Sequence, residues 1–479
     1  MNSLKIIMAA AFIICSNILA AQTLLWEKNY GGAMWESGGI IEQTPDGGYI
    51  LSGTSNGPSN TKNYFIKTNI NGDVMWEKEY AIGMYNSFGV SVTQTPDGGY
   101  MGISRGRKNT LCEGLYLLKM DSKGDTVWTK FHGCVDFCES LQKTSDGGYI
   151  VTATKKTDIG YRAYLLKLDS MGDKQWENIY GGPYETRGFG VSVNADGTYM
   201  LAGRNQINSN DFGAYIAKIK PNGDSLWTRT IAGQGSSYGS CVLQTRDSGY
   251  IISGATDSIG NKGGYLIKTD RDGNVKWQKT YGRTKHDYFS WVLKTNDGGY
   301  MVAGGKGISA FYPPNYVAGD AYMAKIDSEG NVLWDKYYGG TKKDGGGCLL
   351  KTNDGGYLLS GTTWSFGNYS QAYLVKTDSM GSVYGVGIGN QPGAANNSIT
   401  GFKVFPNPAT NSFTIEYNGV FGRETKHRQD LTIYNILGGL VYKDNWPQGQ
   451  TQKSIDVSSF PKGVYIIRIG GAVQQVVKE

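Results

Sequence analysis

Histidine is almost absent from this chain: His132, His286 and His427 are the three in 479 residues. Cysteine is scarce as well, with six, and no two form a Cys-x-x-Cys pair. A Cys/His zinc centre therefore has no material, and neither metal nor cofactor is expected. Charged side chains make up only 18%, and the net charge of +6 is spread without a basic run. That distribution gives nucleic acid nothing to hold. Long apolar runs are missing too. The stretch from Ile6 to Ile14, behind Lys5, is too short to span a bilayer as a mature helix. With Leu19-Ala20-Ala21 before Gln22 it reads as a secretory signal over residues 1–21. Cys15 follows Ile14, where a lipoprotein box wants a small residue, so lipidation is not expected.

What is abundant points to an all-β chain rich in tight turns. There are 70 Gly, 33 Tyr and 11 Trp, far too many aromatics for disorder. An Asp-Gly-Gly-Tyr turn or a close relative starts at Asp46, Asp97, Asp146, Asp196, Asp247, Asp297 and Asp354, roughly fifty residues apart. Each follows an alternating apolar run and precedes a β-rich one. Next come a variable loop, a Tyr-x-x-Lys strand, an Asp-x-x-Gly turn and a strand carrying Trp. Four short strands repeated seven times predict a seven-bladed β-propeller over residues 22–382.

The tryptophans predict how the ring closes. Trp76, Trp128, Trp176, Trp227, Trp277 and Trp334 follow the first six Asp-x-x-Gly turns, but the seventh, Asp378 to Gly381, leads only to Tyr384. Trp26 stands alone before the first. A strand around Trp26 is therefore expected to complete the seventh blade, which removes an exposed edge. The segment Lys167-Leu-Asp-Ser-Met-Gly-Asp-Lys-Gln-Trp176 resembles the tryptophan-docking repeat of quinoprotein-type propellers. That resemblance implies a Trp wedged between neighbouring blades, in a family that usually has eight.

Residues 383–400, rich in Gly, Asn and Ser, read as a linker. Residues 401–479 alternate over several short strands and predict a small immunoglobulin-like β-sandwich. They contain Val404-Phe-Pro-Asn-Pro-Ala409, the run from Leu431 to Tyr442, Ile455 to Ile469, and Val476-Val-Lys478. This region resembles the type A C-terminal sorting domain of the Bacteroidetes type IX secretion system. The resemblance implies periplasmic entry, outer-membrane passage through that machinery, and cleavage in the linker. Release or attachment to surface polysaccharide would follow, placing the protein in the medium or on the cell surface.

Candidate chemistry is sparse, and no catalytic residue is assigned. Gly235-Ser-Ser-Tyr-Gly239 matches a nucleophile elbow, but strands flank it on both sides and sister repeats align with it, so it reads as repeat. The Asp-x-x-Gly turns carry too few carboxylates for calcium. The repeated Lys is expected to pair with the Asp two residues on. A polar column, ten residues before each Asp-Gly-Gly turn, comprises Glu36, Ser87, Asp136, Thr186, Ser237, Asp287 and Asp344. Its four acids are candidate binding residues at the channel mouth, and strand-end capping is the competing account. The variable hairpins gather on one face, where Phe311, Tyr312, Tyr316 and Trp364 are candidates for sugar or protein surfaces. One disulfide is expected among Cys112, Cys134 and Cys138; Cys241 and Cys348 read as buried thiols. A binding or adhesion module is the reading. A glycan-active enzyme using the channel-mouth acids is the alternative.

Overall fold

A computed structural model describes residues 25–32, 34–57, 60–82, 85–109, 112–232, 235–258, 261–282, 287–307, 319–383, 402–417, 429–435, 440–446, 452–469 and 472–479. The chain divides into two units, Met1–Val383 and Tyr384–Glu479. The candidates Phe311, Tyr312 and Tyr316, the signal segment and most of the linker lie outside the described residues.

The first unit is seven four-stranded antiparallel sheets. In six of them the strands run in chain order, as in Phe137–Lys143, Tyr149–Thr157, Gly160–Leu168 and Lys174–Tyr180 of blade three. The seventh is assembled from both ends of the unit. Its inner three strands are Asp344–Lys351, Tyr357–Thr363 and Gln371–Thr377, and its outer strand is Trp26–Tyr30. Trp26 is opposite Lys376 and Tyr30 opposite Ala372. The expected closure is therefore present, and blade seven also packs on blade one to complete the ring.

The repeat residues explain the ring's cohesion. Each docking Trp lies against the Gly of the next blade's Asp-x-x-Gly turn, where Asn69 and Lys220 replace the Asp in two blades. At Gly72 (φ +75°) a Cβ would sit 2.8 Å from the Trp26 ring, and at Gly172 (φ +78°) 2.7 Å from Trp128, so only glycine fits. Indole N–H groups donate to carbonyls of the same turns, Trp26 to Ile70 and Trp176 to Pro221. Tyrosines at the strand ends add Tyr30 to Gly72 O and Tyr180 to Gly223 O.

The repeated lysines pair differently from expectation. Each reaches back to the Asp of its own blade's Asp-Gly-Gly turn: Lys67 to Asp46 at 2.9 Å, Lys167 to Asp146 at 2.8 Å and Lys376 to Asp354 at 2.8 Å, with the other four blades alike. The Asp two residues on is occupied elsewhere: Asp169 accepts the backbone N–H groups of Met171 and Asp173, closing its turn. Cross-strand geometry decides this, because a buried ammonium needs its carboxylate at once and the local one points into its own turn.

Cys112 and Cys134 form a disulfide, with Cα atoms 5.8 Å apart. Cys138, Cys241 and Cys348 are buried free thiols. The second unit is a three-stranded sheet facing a four-stranded one, around a core including Phe413, Ile415, Leu431, Ile433, Ile455 and Ile467. Its Pro-Asn-Pro-Ala segment fastens the last strand. Asn407 Oδ1 accepts from Val477 N at 2.9 Å, and Ala409 bonds to Val477 O and Glu479 N.

Candidate functional site

The four acids of the polar column do not line the channel cavity. Glu36 and Asp287 are 4% exposed and Asp344 is fully buried. Each accepts backbone N–H groups instead. Glu36 caps Gly32 N at 3.0 Å, Asp136 caps Lys156 N at 2.7 Å, and Asp287 caps Gly307 N at 2.7 Å. Asp344 takes Gly340 N, Trp364 N and the hydroxyls of Thr363 and Ser365. Their geometry is that of fasteners, tying the inner strand to neighbouring loop backbone at the variable face.

The channel face belongs to other residues of the same strands, because side chains alternate along a strand. A cavity of about 700 Å³ fills the channel, with walls contributed by all seven blades. Arg105 and Arg204 line it from second strands, at a position where the other blades carry Thr54, Thr154, Ala255, Gly305 and Thr362. Glu139 lines it from a first strand, where sister repeats have Gly39, Val90, Phe189, Ser240, Ser290 and Gly347.

Around this cavity the charges form a balanced cluster. Arg105 Nε is 3.2 Å from Glu113, and Glu185 takes Arg187 at 2.8 Å and Arg204 at 2.9 Å. Aromatic rings separate the guanidinium groups. Arg105 and Arg187 each lie over the Phe137 ring, 5.3 and 5.0 Å from its centroid, and Arg187 is 4.4 Å from the Tyr161 centroid. Burial pushes the Glu139 carboxyl up to about 7, against the pull of Arg105 and Arg187. Among the described residues no hydrogen bond closes on it.

Tryptophan usage marks the same side. Seven indoles dock blades and Trp446 belongs to the second unit, which leaves Trp35, Trp291 and Trp364. Trp291 lines the channel and packs against the cores of three neighbouring blade junctions. Trp35 and Trp364 meet edge to face at the closing seam, 4.9 Å apart, with Tyr369 5.8 Å from Trp35. Trp35, Phe366 and Tyr369 are each more than a third exposed. Trp364 is thus brought to an aromatic patch, whose partner Trp35 the sequence reading missed. Arg105, Glu139, Arg187 and Arg204 were missed as well. Their signal was available as departures from the repeat at channel-facing positions.

Among the described residues no group of three or more His, Cys, Asp or Glu gathers in metal-binding geometry. No helix among them is long and apolar enough to cross a membrane. The class defined by this architecture is a closed seven-bladed β-propeller joined to a C-terminal β-sandwich. Residues 403–479 match the family described as secretion system C-terminal sorting domain. The chain is accordingly a type IX secretion cargo, exported to the cell surface or the medium. Among solved structures, puromycin hydrolase is similar with a TM-score of 0.50 at 14% identity, covering 85% of this chain and 61% of its own. That likeness concerns the fold alone. The β-propeller domain of the Trilobed protease from Pyrococcus furiosus matches with a TM-score of 0.43 at 10% identity, covering 72% of this chain and 94% of that one. A protein of unknown function from Dyadobacter fermentans gives 0.44 at 10%, covering 75% and 100%. No curated protein matches by sequence.

Proposed function

We propose that this cargo is a binding or adhesion module whose ligand meets the variable-loop face. The observation that carries the reading is the segregation of side chains. The repeat accounts for the Trp, Tyr, Lys and Asp residues that hold the ring together. The side chains that depart from it, Arg105, Glu139, Arg187, Arg204, Trp35 and Trp364, collect at the channel mouth and the closing seam. Variable groups on a rigid scaffold are where recognition is built. The glycan-active alternative requires two carboxylates flanking one bond. Among the described residues Glu139 is the single carboxylate lining the cavity, and Glu36, Asp136, Asp287 and Asp344 are committed to backbone N–H groups. In this reading residues 1–21 are removed on entry to the periplasm, and residues 383–400 are cut after outer-membrane passage. Release or attachment to surface polysaccharide follows.

The test is an array of glycans and surface polysaccharides probed with the full chain. Selective retention is expected, and the double change Trp35→Ala, Trp364→Ala or the change Arg204→Ala should weaken it at least about tenfold. A substrate consumed during the assay would replace binding by catalysis. Retention unaffected by all of these changes would remove the variable face from the account.

A further inference from the structure

The channel cavity carries a narrower conclusion, which rests on the binding-module reading and names a ligand class for it. Three guanidinium groups and three carboxyls surround the opening: Arg105, Arg187 and Arg204 with Glu113, Glu185 and Glu139. Glu113 and Glu185 are taken up by the arginines. With Glu139 ionised the three carboxyls balance the three guanidinium groups, so an anion would meet Glu139 and a cation would meet the arginines with little net attraction. Hydrogen-bonding capacity is nevertheless left over. Glu139 accepts nothing among the described residues, and Arg204 Nε is buried without a partner. The walls are asymmetric. Phe189 and Tyr238, edge to face at 5.8 Å, line one side, while Gly39, Ser290 and Gly347 leave space opposite.

We propose that this cup receives a neutral sugar unit, its apolar ring face against Phe189 and Tyr238 and its hydroxyls bonded to Glu139, Arg204 and Ser240. A cavity of about 700 Å³ accommodates a ligand of one or two rings, within the usual range for small-ligand sites. A polyol matches the leftover chemistry, because each hydroxyl both donates and accepts. Trp291 also lines the cavity and adds apolar surface.

The experiment titrates the full chain with a broad panel of neutral methyl glycosides, together with glucuronate and zwitterionic amino acids, by calorimetry and saturation-transfer NMR. Two variants accompany it. Glu139→Ala removes the acceptor. Gly347→Leu fills the space, and its Cβ is tolerated because the nearest atoms, Ser360 O and Gly38 O, are 3.5 and 3.7 Å away. Unchanged melting temperatures establish that both variants fold. At least one neutral glycoside should bind, about tenfold or more weakly to Glu139→Ala and not measurably to Gly347→Leu. Preference for glucuronate or an amino acid, binding that survives in both variants, or no binding to any member would each overturn the proposal. An array ligand kept by Gly347→Leu but lost on Trp35→Ala would sink the cup and leave the binding module standing. Loss of every array signal from the wild type would sink that broader reading instead.

Discussion

The Tyr373 hydroxyl donates to the Glu27 carboxylate across 346 residues of chain. Tyr164 makes the same bond to Glu177, 13 residues away, as Tyr64 does to Glu77. Glu27 thus occupies in blade seven the place that an outer-strand acid occupies elsewhere. The closing strand reproduces the repeat down to its side-chain chemistry, including Trp26 against Gly72 of blade one.

Removing this clasp should loosen the whole ring. Trp26 is 8% exposed, and truncating a large buried aromatic costs about 3–5 kcal/mol. Trp26→Ala is expected to lower the guanidinium midpoint accordingly. Deleting residues 22–31 should also bare the edge of strand Gln371–Thr377 and promote association, visible by light scattering. Unaltered stability and a monodisperse protein would contradict the closure.

The Lys–Asp pairs predict an asymmetry. Lys167 is 2% exposed at its side chain, whereas Asp146 is about half exposed. Asp146→Asn strands a buried ammonium and is expected to cost roughly 1–3 kcal/mol, less than a fully buried pair because water reaches the Asp. Lys167→Met, which leaves a solvated carboxylate behind, should cost less. Equilibrium unfolding of the two variants ranks them, and the reverse order would show that the lysine stem's packing dominates.

These pairs and Glu139 act in opposite pH windows. Hydrogen bonds from Thr95 and Lys119 bring the Asp97 carboxyl down to about 2. Burial opposes the same change at Asp146, but hydrogen bonds from Lys167 and Thr144 outweigh it and also bring it to about 2. Carboxyls depressed on folding stabilise above their unfolded value near 3.8, and that contribution drains away as pH falls toward 2. Glu139 is raised from 4.5 to about 7, so its contribution is full below 4.5 and declines as pH rises through 7. Melting curves should show an acid-labile fold, and Glu139→Gln should flatten the slope between pH 5 and 7. An identical slope in both proteins would place Glu139 in free contact with water.

Six of the Asp-Gly-Gly-type turns place Gly after the Asp at φ between +77° and +86°, but in blade five Ser248 sits there at +63°. An L-residue in the left-handed region is strained. Ser248→Gly should therefore stabilise by up to about 1 kcal/mol, after the glycine's greater unfolded-state entropy is subtracted. A fall in melting temperature would mean the serine hydroxyl contributes more than the strain costs.

The C-terminal unit yields a cellular test. Deleting residues 401–479 should leave the propeller in the periplasm, since those residues carry the match to the sorting family. Cell fractionation with antibody to the propeller reads the outcome, and normal export of the truncated chain would refute the route.

Architecture was legible because it is written seven times. Tyr164-x-x-Lys167 and its six sisters gave the blade, and the missing seventh Trp gave the clasp. The partner of Lys167 was not legible, because Asp146 and Asp169 are both near in sequence and only strand pairing chooses between them. The acids at 36, 136, 287 and 344 pointed at the channel's end but not at its lumen. One step along the pleat separates a residue that caps a loop from one that faces the cavity. Glu139 was illegible for the converse reason: it stands in one repeat alone, outside the recurring pattern.

The order of the strands has a bearing on delivery. On the proposed route, a chain entering the periplasm from its amino end presents Trp26 first and holds that segment in waiting until Gln371–Thr377 arrives. Residues 403–479 emerge only afterwards. A chain interrupted before Gln371–Thr377 has neither a sealed rim nor an address, and one interrupted between there and residue 403 has the ring without the address.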